Sequence, residues 1–367
     1  MDNAQAGVRD DARGTEAGEP PRWARARVTT RGVQIALGVI WLCVGLFQFK
    51  SFMYTHGIIS EVFAPAAERQ WSWVGSSMNA IDAFYGRDLT LWNTLAAEIQ
   101  CAIGLGLIVS RRTVKPALAL SFVWAPLVWW FGEGFGGLTS NTLPAPLMGA
   151  PGAVIVYAIV GLLVWPTEGV ARARSGDGAG SDDRAGLGGA AGPGSWVSRS
   201  AAAAGPLGDR GGLAIWSGLW ALSAALWLVN VNRAKGATSE MIKSMAEASP
   251  HWLAKIQNWA VHHAQGHGTT IAVVLAVVSV LVAVCVWVPA LRWPALWVGI
   301  VLSLAYWLFG QSIGGPFWVE GATDFNTGPL FVLLAVALFP AAQRVRESGA
   351  AAPVVVGGAR AEGVAAS

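Results

Sequence analysis

The sequence predicts an all-α polytopic membrane protein with about eight spans, arranged as two parallel four-helix transmembrane bundles. The mean hydropathy is +0.47 and charged residues make up 13% of the chain, about half the share that is usual in soluble globular proteins. Uncharged stretches long enough to cross a bilayer recur along the sequence, and its two halves share residues at a nearly constant spacing. A chain of this composition is expected to be surrounded by lipid.

Eight stretches have the length and apolar character of a transmembrane helix, which needs about 20 residues to cross a hydrocarbon layer of about 30 Å. Continuous apolar runs such as IAVVLAVVSVLVAVCVWV indicate helices, because strands of a membrane barrel alternate apolar and polar residues over segments of about ten. The predicted spans lie near residues 33–50, 90–110, 116–132, 150–166, 213–231, 269–289, 294–312 and 328–343.

Composition divides the chain into five segments. Residues 1–32 are predicted to be a disordered cytoplasmic segment, too long and too charged to open a signal peptide. A first four-helix unit at 33–166 and a second at 213–343 are joined by 167–212, which contains GDGAGSDDRAGLGGAAGPGS. Such text is typical of a flexible cytoplasmic linker. The tail at 344–367 is predicted to be disordered for the same reason.

The two units resemble each other residue by residue. Matching residues stand 179 positions apart early in the units, 178 apart in the middle and 174 apart at the end. A duplicated four-helix unit predicts this steady register, and the alternative is coincidence among helices rich in Trp and Gly. The matched pairs include Trp41 with Trp220, Gly57 with Gly236, Glu68 with Glu247, Gly136 with Gly314, and Pro166 with Pro340.

An even number of spans in each unit makes the two copies parallel. Lysine and arginine cluster before the first span and after the second and fourth, and the positive-inside rule then places both termini in the cytoplasm. The connection after span five opposes this orientation, since it carries Arg233, Lys235, Lys243 and Lys255 on the outer side. The predicted location is the cell inner (plasma) membrane.

Acidic residues within or next to a span are costly in lipid and are therefore candidate functional residues. Glu98 lies in span two, and Glu133 lies at the outer end of span three, where the register pairs it with Gln311. Two interpretations of Glu133 are open: a hydrogen bond to free backbone groups where the helix breaks, or a proton-bearing or substrate-binding carboxylate. We hypothesise that Lys50, Glu98 and Glu133 form the charged part of one pocket in the first unit, with Gln311 at the corresponding place in the second.

The histidines are a weaker candidate site. His263 and His267 are four residues apart, a spacing that places two imidazoles on one face of a helix, but Gly266 interrupts the turn between them. Polar residues at the membrane interface explain the cluster, so no metal site is predicted; a weak copper or zinc site or a pH response is the alternative. The three cysteines lie in three different predicted spans, which argues against a disulfide scaffold or a CxxC redox pair.

Several classes of function are excluded by the absence of their motifs. The sequence contains no nucleotide-binding loop, Rossmann glycine pattern, serine nucleophile elbow or HExxH zinc motif, each of which has a recognisable residue pattern. No basic patch with interleaved aromatic residues suits nucleic acid. The chain is therefore not expected to be an enzyme on its own, and its partner is the lipid bilayer.

Three sequence elements together resemble one known family. The first span LGVIWLCVGLFQFKSF, the polar second span NTLAAEIQCAIGLGLIV and the WxxGExxGG element after the third are similar to the DoxX-like group of small bacterial membrane proteins. The resemblance covers both units, 33–166 and 213–343. It implies a membrane subunit of a redox or envelope-maintenance system, with a lipid- or quinone-accessible pocket and a membrane redox partner. The alternative is a small-molecule or ion transporter built from two parallel repeats.

Overall fold

The computed structural model describes residues 28–140, 145–167 and 196–344. Within these ranges the regular secondary structure is helical apart from one short pair of antiparallel strands, β1 (Trp196–Arg199) and β2 (Ala341–Arg344). The helices are α1 (Thr30–Phe47), α2 (Ala64–Glu68), α3 (Ser72–Tyr85), α4 (Leu89–Val109), α5 (Arg111–Phe131), α6 (Ala153–Leu163), α7 (Gly208–Trp227), α8 (Ala237–Glu247), α9 (His251–Ala264), α10 (Gly268–Cys285), α11 (Arg292–Phe309) and α12 (Thr327–Leu338). A π-helical turn, Ile58–Phe63, and short 3-10 turns occupy parts of the connections.

The ordered second half begins earlier than the predicted linker boundary. Strand β1 and the start of α7 both fall inside the segment 167–212 that composition indicated to be flexible. Strand β1 is held by β2, at the very end of the second half. Composition could not show this because the two strands are far apart in the sequence. The rest of the segments predicted to be disordered, 1–27, 168–195 and 345–367, lies outside the described residues.

Five of the described helices are long and apolar enough to cross a membrane, namely α1, α4, α5, α10 and α11. Helix α7 has 20 residues but carries Asp209 and Arg210 in its first turn. Helices α6 and α12 are apolar but have only 11 and 12 residues. The chain is thus a multi-pass helical membrane protein.

The fourth and eighth predicted spans are shorter helices than the sequence indicated. At a rise of about 1.5 Å per residue, 11 or 12 residues reach only about half of the hydrocarbon layer. Gly152 (φ +103) and Asn326 (φ +64) immediately precede α6 and α12 in conformations that a helix cannot continue. Irregular backbone, described over residues 132–140, 145–152 and 310–326, precedes the two short helices.

Helices α1 and α4 form the closest packed pair of the first half. A Cβ added to Gly104 would lie 2.6 Å from the Leu42 nitrogen and 2.8 Å from the Gly38 carbonyl oxygen, so the two backbones touch. Small residues at such crossings are what allows membrane helices to approach. In the second half α7 packs along α10, and the halves meet where α6 and α1 contact α12.

Arginine side chains at the starts of α1 and α11 bind the ends of other helices. The Arg31 guanidinium donates to the carbonyls of Leu107 and Ile108, at the C-terminus of α4, over 2.7 and 2.6 Å. Arg292 donates to the Leu338 carbonyl at the end of α12 and forms a two-pronged ion pair with Asp209, each contact being 2.7 Å. Cations at these places interact favourably with the negative ends of the helix dipoles.

Replacing Asp209 with asparagine is expected to destabilise the second half by about 1–2 kcal/mol, because Arg292 then loses a charged acceptor in a largely buried place. The Asp209 side chain is 35% exposed, which keeps the effect modest. The thermal unfolding midpoint in detergent should fall for Asp209→Asn. Arg210→Gln, one position along on an exposed side chain, is the control and should leave the midpoint unchanged.

Candidate functional site

The connection after α5 and the connection after α11 share an uncommon backbone shape. Four consecutive residues, 134 to 137, have φ values of +51, +55, +63 and +76 degrees, and residues 312 to 315 have +46, +55, +80 and +77 degrees. Left-handed residues other than glycine each cost about 1–2 kcal/mol, yet Phe135, Ser312 and Ile313 adopt the conformation. Surrounding contacts must therefore hold both turns, which reverse the chain directly after a long helix.

The residue before each turn binds the N-terminus of the short helix that follows. Glu133 Oε1 accepts a hydrogen bond from the Val154 amide over 3.0 Å at the start of α6. Gln311 Oε1 accepts from the Gly328 amide and from the Thr327 hydroxyl at the start of α12, both over 3.2 Å. The first amides of a helix have no partner within it. These contacts agree with the interpretation in which Glu133 and Gln311 satisfy free backbone groups.

A tryptophan one turn earlier makes a second matching contact. Trp129 Nε1 donates to the Pro151 carbonyl, and Trp307 Nε1 donates to the Phe325 carbonyl, each over 2.7 Å. The donors are 178 positions apart and the acceptors 174 apart, as in the sequence register. The two connections are thus built from corresponding contacts in the two halves.

In the first half this arrangement includes a cluster of titratable groups. The Tyr157 hydroxyl donates to Asp324 Oδ1 over 2.9 Å, although Tyr157 belongs to α6 and Asp324 to the connection before α12. The Asp324 carboxylate also accepts from the backbone amides of Phe325 and Asn326. Glu133 Oε2 is buried and has no hydrogen-bond partner. An acidic pair from different halves therefore shares one buried region.

Both carboxyls lie in connections rather than in helices, and burial changes their acidity. Desolvation and, to a smaller extent, the nearby charge of Asp324 raise the pKa of Glu133 to about 8, against the opposing effect of its backbone hydrogen bonds with Val154 and Ala153. Desolvation also raises the pKa of Asp324, to about 6, against the opposing effect of its hydrogen bonds. A carboxylate removed from water without a cationic partner favours its neutral form.

Lys50 also contacts the connection that carries Asp324. Its Nζ donates to the carbonyls of Val319 and Ala322 over 3.0 and 2.7 Å, and it lies 5.3 Å from the centre of the Phe47 ring. Burial lowers the pKa of Lys50, and the charge of Glu320 opposes that shift. Lys50 therefore ties the end of α1 to the second half.

The predicted pocket residues are only partly brought together. Lys50 and Glu133 both adjoin the connection 316–326, through its carbonyls and through Asp324. Gln311 is buried at the corresponding place of the second half. Glu98 is exposed on α4, and no contact with Lys50 or Glu133 is found for it among the described residues. The sequence had not indicated Asp324 or Tyr157, although Asp324 stands alone as an acid before the long uncharged stretch that ends at residue 343.

A cavity of about 300 Å³ lies in the second half, between α8, α9, α10 and α11. Its walls are apolar with few exceptions, and Leu147 of the first half also reaches it. The Thr238 side chain is 4% exposed, and its buried hydroxyl has no hydrogen-bond partner. His263 lines the cavity too, with Nδ1 2.8 Å from the Trp259 carbonyl oxygen. Because a carbonyl oxygen only accepts, Nδ1 is the donor in this contact, and the neutral imidazole then has Nε2 as its acceptor.

At three of the positions that match this cavity, the first half has larger side chains. The register places Ile59 at Thr238, Phe84 at His263 and Trp124 at Leu302. We expected a site in the first unit because the candidate charged residues lie there. This cavity lies in the second half and is defined by apolar walls and one hydroxyl. The cavity could have been predicted from positions where the first half has a large side chain and the second half has a small or polar one.

A smaller cavity of about 20 Å³ lies beside Gln311. It is lined by polar atoms from Ser223, Ser303, Tyr306 and Thr327 as well as by Trp220. A site of this size and polarity holds about one water molecule.

The two histidines of the weak metal candidate do not share a helix. His263 lies in α9, and His267 precedes α10 after Gly266, whose φ is +78. No group of three or more His, Cys, Asp or Glu side chains arranged to hold a metal occurs in residues 28–140, 145–167 and 196–344.

Comparison with known protein families, with characterised proteins and with solved structures gives no match for this chain.

Proposed function

We propose that this chain is a membrane subunit of a redox or envelope-maintenance system that binds a quinone in the cavity of its second half. The cavity of about 300 Å³ with a buried, unpartnered hydroxyl is the observation that carries the proposal. Ligand pockets usually have volumes of about 300–1,000 Å³, apolar walls and a few polar groups that orient the ligand. This cavity is at the small end of that range and suits a single ring.

The chemistry of the walls selects the class of ligand. A charged molecule would be desolvated there without a counter-charge, which is costly. A neutral ring that carries carbonyl groups can accept a hydrogen bond from Thr238 and pack its apolar atoms against the walls. After reduction, its hydroxyl groups can donate to His263 Nε2. A quinone has this combination of properties, whereas an acyl chain cannot accept a hydrogen bond from the hydroxyl.

The position of the cavity supports entry from the bilayer. Helices α8 and α9 carry many polar residues, as expected for helices at a membrane interface, and Trp259 beside the cavity is 62% exposed. Arg31 and Arg292 lie at the ends of helices on the opposite side of the bundle, which supports cytoplasmic termini by the positive-inside rule. In this proposal the cavity faces the outer side of the plasma membrane.

A duplicated, DoxX-like origin is part of the proposal. It is supported by the paired turns, the paired Trp contacts and the Glu133 and Gln311 contacts at matching positions. In this proposal the two copies have diverged, and the second has acquired the ligand cavity. This division of roles explains why the two halves differ at Thr238 and His263.

Native mass spectrometry of the protein extracted gently from its own membrane tests the proposal. A bound quinone is expected with the unaltered chain, and Ala305→Phe should displace it because Ala305 lines the cavity. Val301→Phe is the matched control, since Val301 is one turn away on the same helix and 62% exposed. A bare protein, or a ligand retained by Ala305→Phe, would contradict the proposal.

Thr238→Val distinguishes a quinone from a lipid chain. It keeps the shape of the side chain and removes the hydroxyl, so quinone affinity should fall about fivefold, which corresponds to a loss of about 1 kcal/mol for one hydrogen bond. The measurement is a titration of the purified protein with a short-chain quinone in detergent. An unchanged or tighter affinity would point to purely apolar binding.

Transport is a second candidate function, favoured by one observation. Both halves contain a short helix preceded by irregular backbone at matching positions, α6 and α12, and transporters place such broken helices at the interface between repeats. Uptake into proteoliposomes under an imposed pH gradient would test it. The absence of any gradient-driven uptake across a panel of small ions and metabolites would count against it.

A further inference from the structure

We propose that Glu133, Tyr157 and Asp324 form a proton-binding site between the two halves, with the proton held on Glu133. The inference is independent of the quinone cavity, which lies in the second half. It rests on the unequal hydrogen bonding of the two carboxyls and on the charges that face them.

Asp324 is arranged as the anion of the pair. Its carboxylate accepts from the Tyr157 hydroxyl and from the amides of Phe325 and Asn326. Several donors to one carboxylate stabilise its charged form. Tyr157 is itself fixed, being 2% exposed and packed on Trp41 with ring centroids 4.5 Å apart.

Glu133 is arranged as the neutral member. Its Oε1 accepts from the amide of Val154, a further backbone hydrogen bond comes from Ala153, and its Oε2 is buried without a hydrogen-bond partner. A Cβ added to Gly152 would lie only 2.3 Å from this Oε2 atom. The Glu133 side chain therefore fits because Gly152 has no side chain. A charged oxygen without donors is costly in such a place, whereas a protonated carboxyl is not.

The groups that face the pair do not neutralise a second negative charge. The titratable groups that interact with them are Tyr157 of α6 and, through Tyr157, Cys43 of α1. Neither carboxyl has a lysine or arginine partner within the described residues, and Lys50 donates to the carbonyls of Val319 and Ala322 instead. The raised pKa values of the two carboxyls agree with one bound proton.

The second half contains a neutral version of the same arrangement. Gln311 has the shape of a protonated glutamate and makes the corresponding contacts at the start of α12. Ala150 stands at the position that matches Asp324. The second half therefore keeps the helix-binding role without a titratable group, and the proton site belongs to the contact between the halves.

Release of the proton would place a second negative charge between α6 and the connection 316–326. Repulsion between Glu133 and Asp324 would then weaken the contact between the halves. The site thus couples pH to the packing of one half against the other, which is a property that neither half has alone.

Infrared spectroscopy of the full chain in detergent tests the site. At pH 7 a protonated-carboxyl C=O absorption is expected, and it should titrate away with a midpoint near the pKa of about 8 of Glu133. Glu133→Gln should remove this band, and Asp324→Asn should move its midpoint to lower pH because the neighbouring charge is lost. Glu98→Gln, on an exposed side chain, is the control and should leave the band unchanged. A band that persists in Glu133→Gln, or no band at pH 7, would overturn the proposal.

Thermal stability supplies a second readout. Because the pKa of Glu133 is raised in the folded protein, to about 8, the folded state binds more protons than the unfolded state, and stability falls as pH rises. The fall should extend from about pH 5 to about pH 8, between the ordinary pKa of a glutamate and the raised one. Glu133→Gln should flatten this part of the profile and keep the fold, as Gln311 does. An identical profile in both proteins would contradict the assignment.

Discussion

Replacing Gly136 with alanine is expected to prevent the first half from adopting its fold. An added Cβ would lie 1.8 Å from the Pro151 carbonyl oxygen and 2.3 Å from the Gly152 nitrogen. The backbone φ of +63 adds strain for any residue with a side chain. Because the clash is with backbone atoms, no side chain can yield, and the cost should exceed about 4 kcal/mol.

The measurement is the yield of monodisperse protein and its thermal midpoint in detergent, with Gly137→Ala as the matched control. Gly137 has a φ of +76, but no atom lies within 4 Å of an added Cβ, so only backbone strain of about 1 kcal/mol is expected. Gly314→Ala should behave like Gly136→Ala, since its Cβ would lie 2.4 Å from the Phe325 Cα. Equal effects at Gly136 and Gly137 would show that the turn does not pack on residue 151.

Replacing Gly104 with alanine is expected to force α1 and α4 apart. The new Cβ would lie 2.6 Å from the Leu42 nitrogen and 2.8 Å from the Gly38 carbonyl oxygen. Overpacking of this kind costs about 1–3 kcal/mol, and contact with backbone atoms places the loss at about 3 kcal/mol. The thermal midpoint in detergent should fall accordingly.

Gly218→Ala is the control for the helix crossing. Gly218 lies within α7 and an added Cβ there would meet nothing within 4 Å. Alanine favours a helix over glycine by about 1 kcal/mol, so this substitution should be neutral or slightly stabilising. Opposite signs for Gly104→Ala and Gly218→Ala are therefore expected, and a shared sign would show that α1 and α4 are not in backbone contact.

The contacts of Glu133 could be predicted only in part from the sequence. The pairing with Gln311 indicated a hydrogen bond to free backbone groups that either residue can make, and the contacts with Val154 and Gly328 are of that kind. The acidic neighbour of Glu133 could not be predicted. Asp324 is 191 positions away in the other half, and the sequence register matches corresponding residues but does not show which ones touch across the halves.

The positions of the fourth and eighth predicted spans could be predicted from the sequence, but the lengths of their helices could not. Hydropathy placed apolar segments at 150–166 and 328–343, but it cannot distinguish a continuous span from a half-length helix preceded by buried irregular backbone. The deciding features are the backbone conformations at Gly152 and Asn326 and the carbonyls of Pro151 and Phe325, which bind tryptophans. These contacts form only after α5 and α11 have brought their ends to the connections.

The sequence by itself determined that this chain is helical, enters a membrane several times and carries matching residues in two halves. Apolar length and residue spacing are properties of the chain alone, so they can be read without coordinates. Only the tertiary structure decided that Glu133 lies beside Asp324, that Glu98 faces outward and that the second half contains the cavity beside Thr238. Burial and charge pairing depend on which distant residues are brought together, and packing between helices decides that.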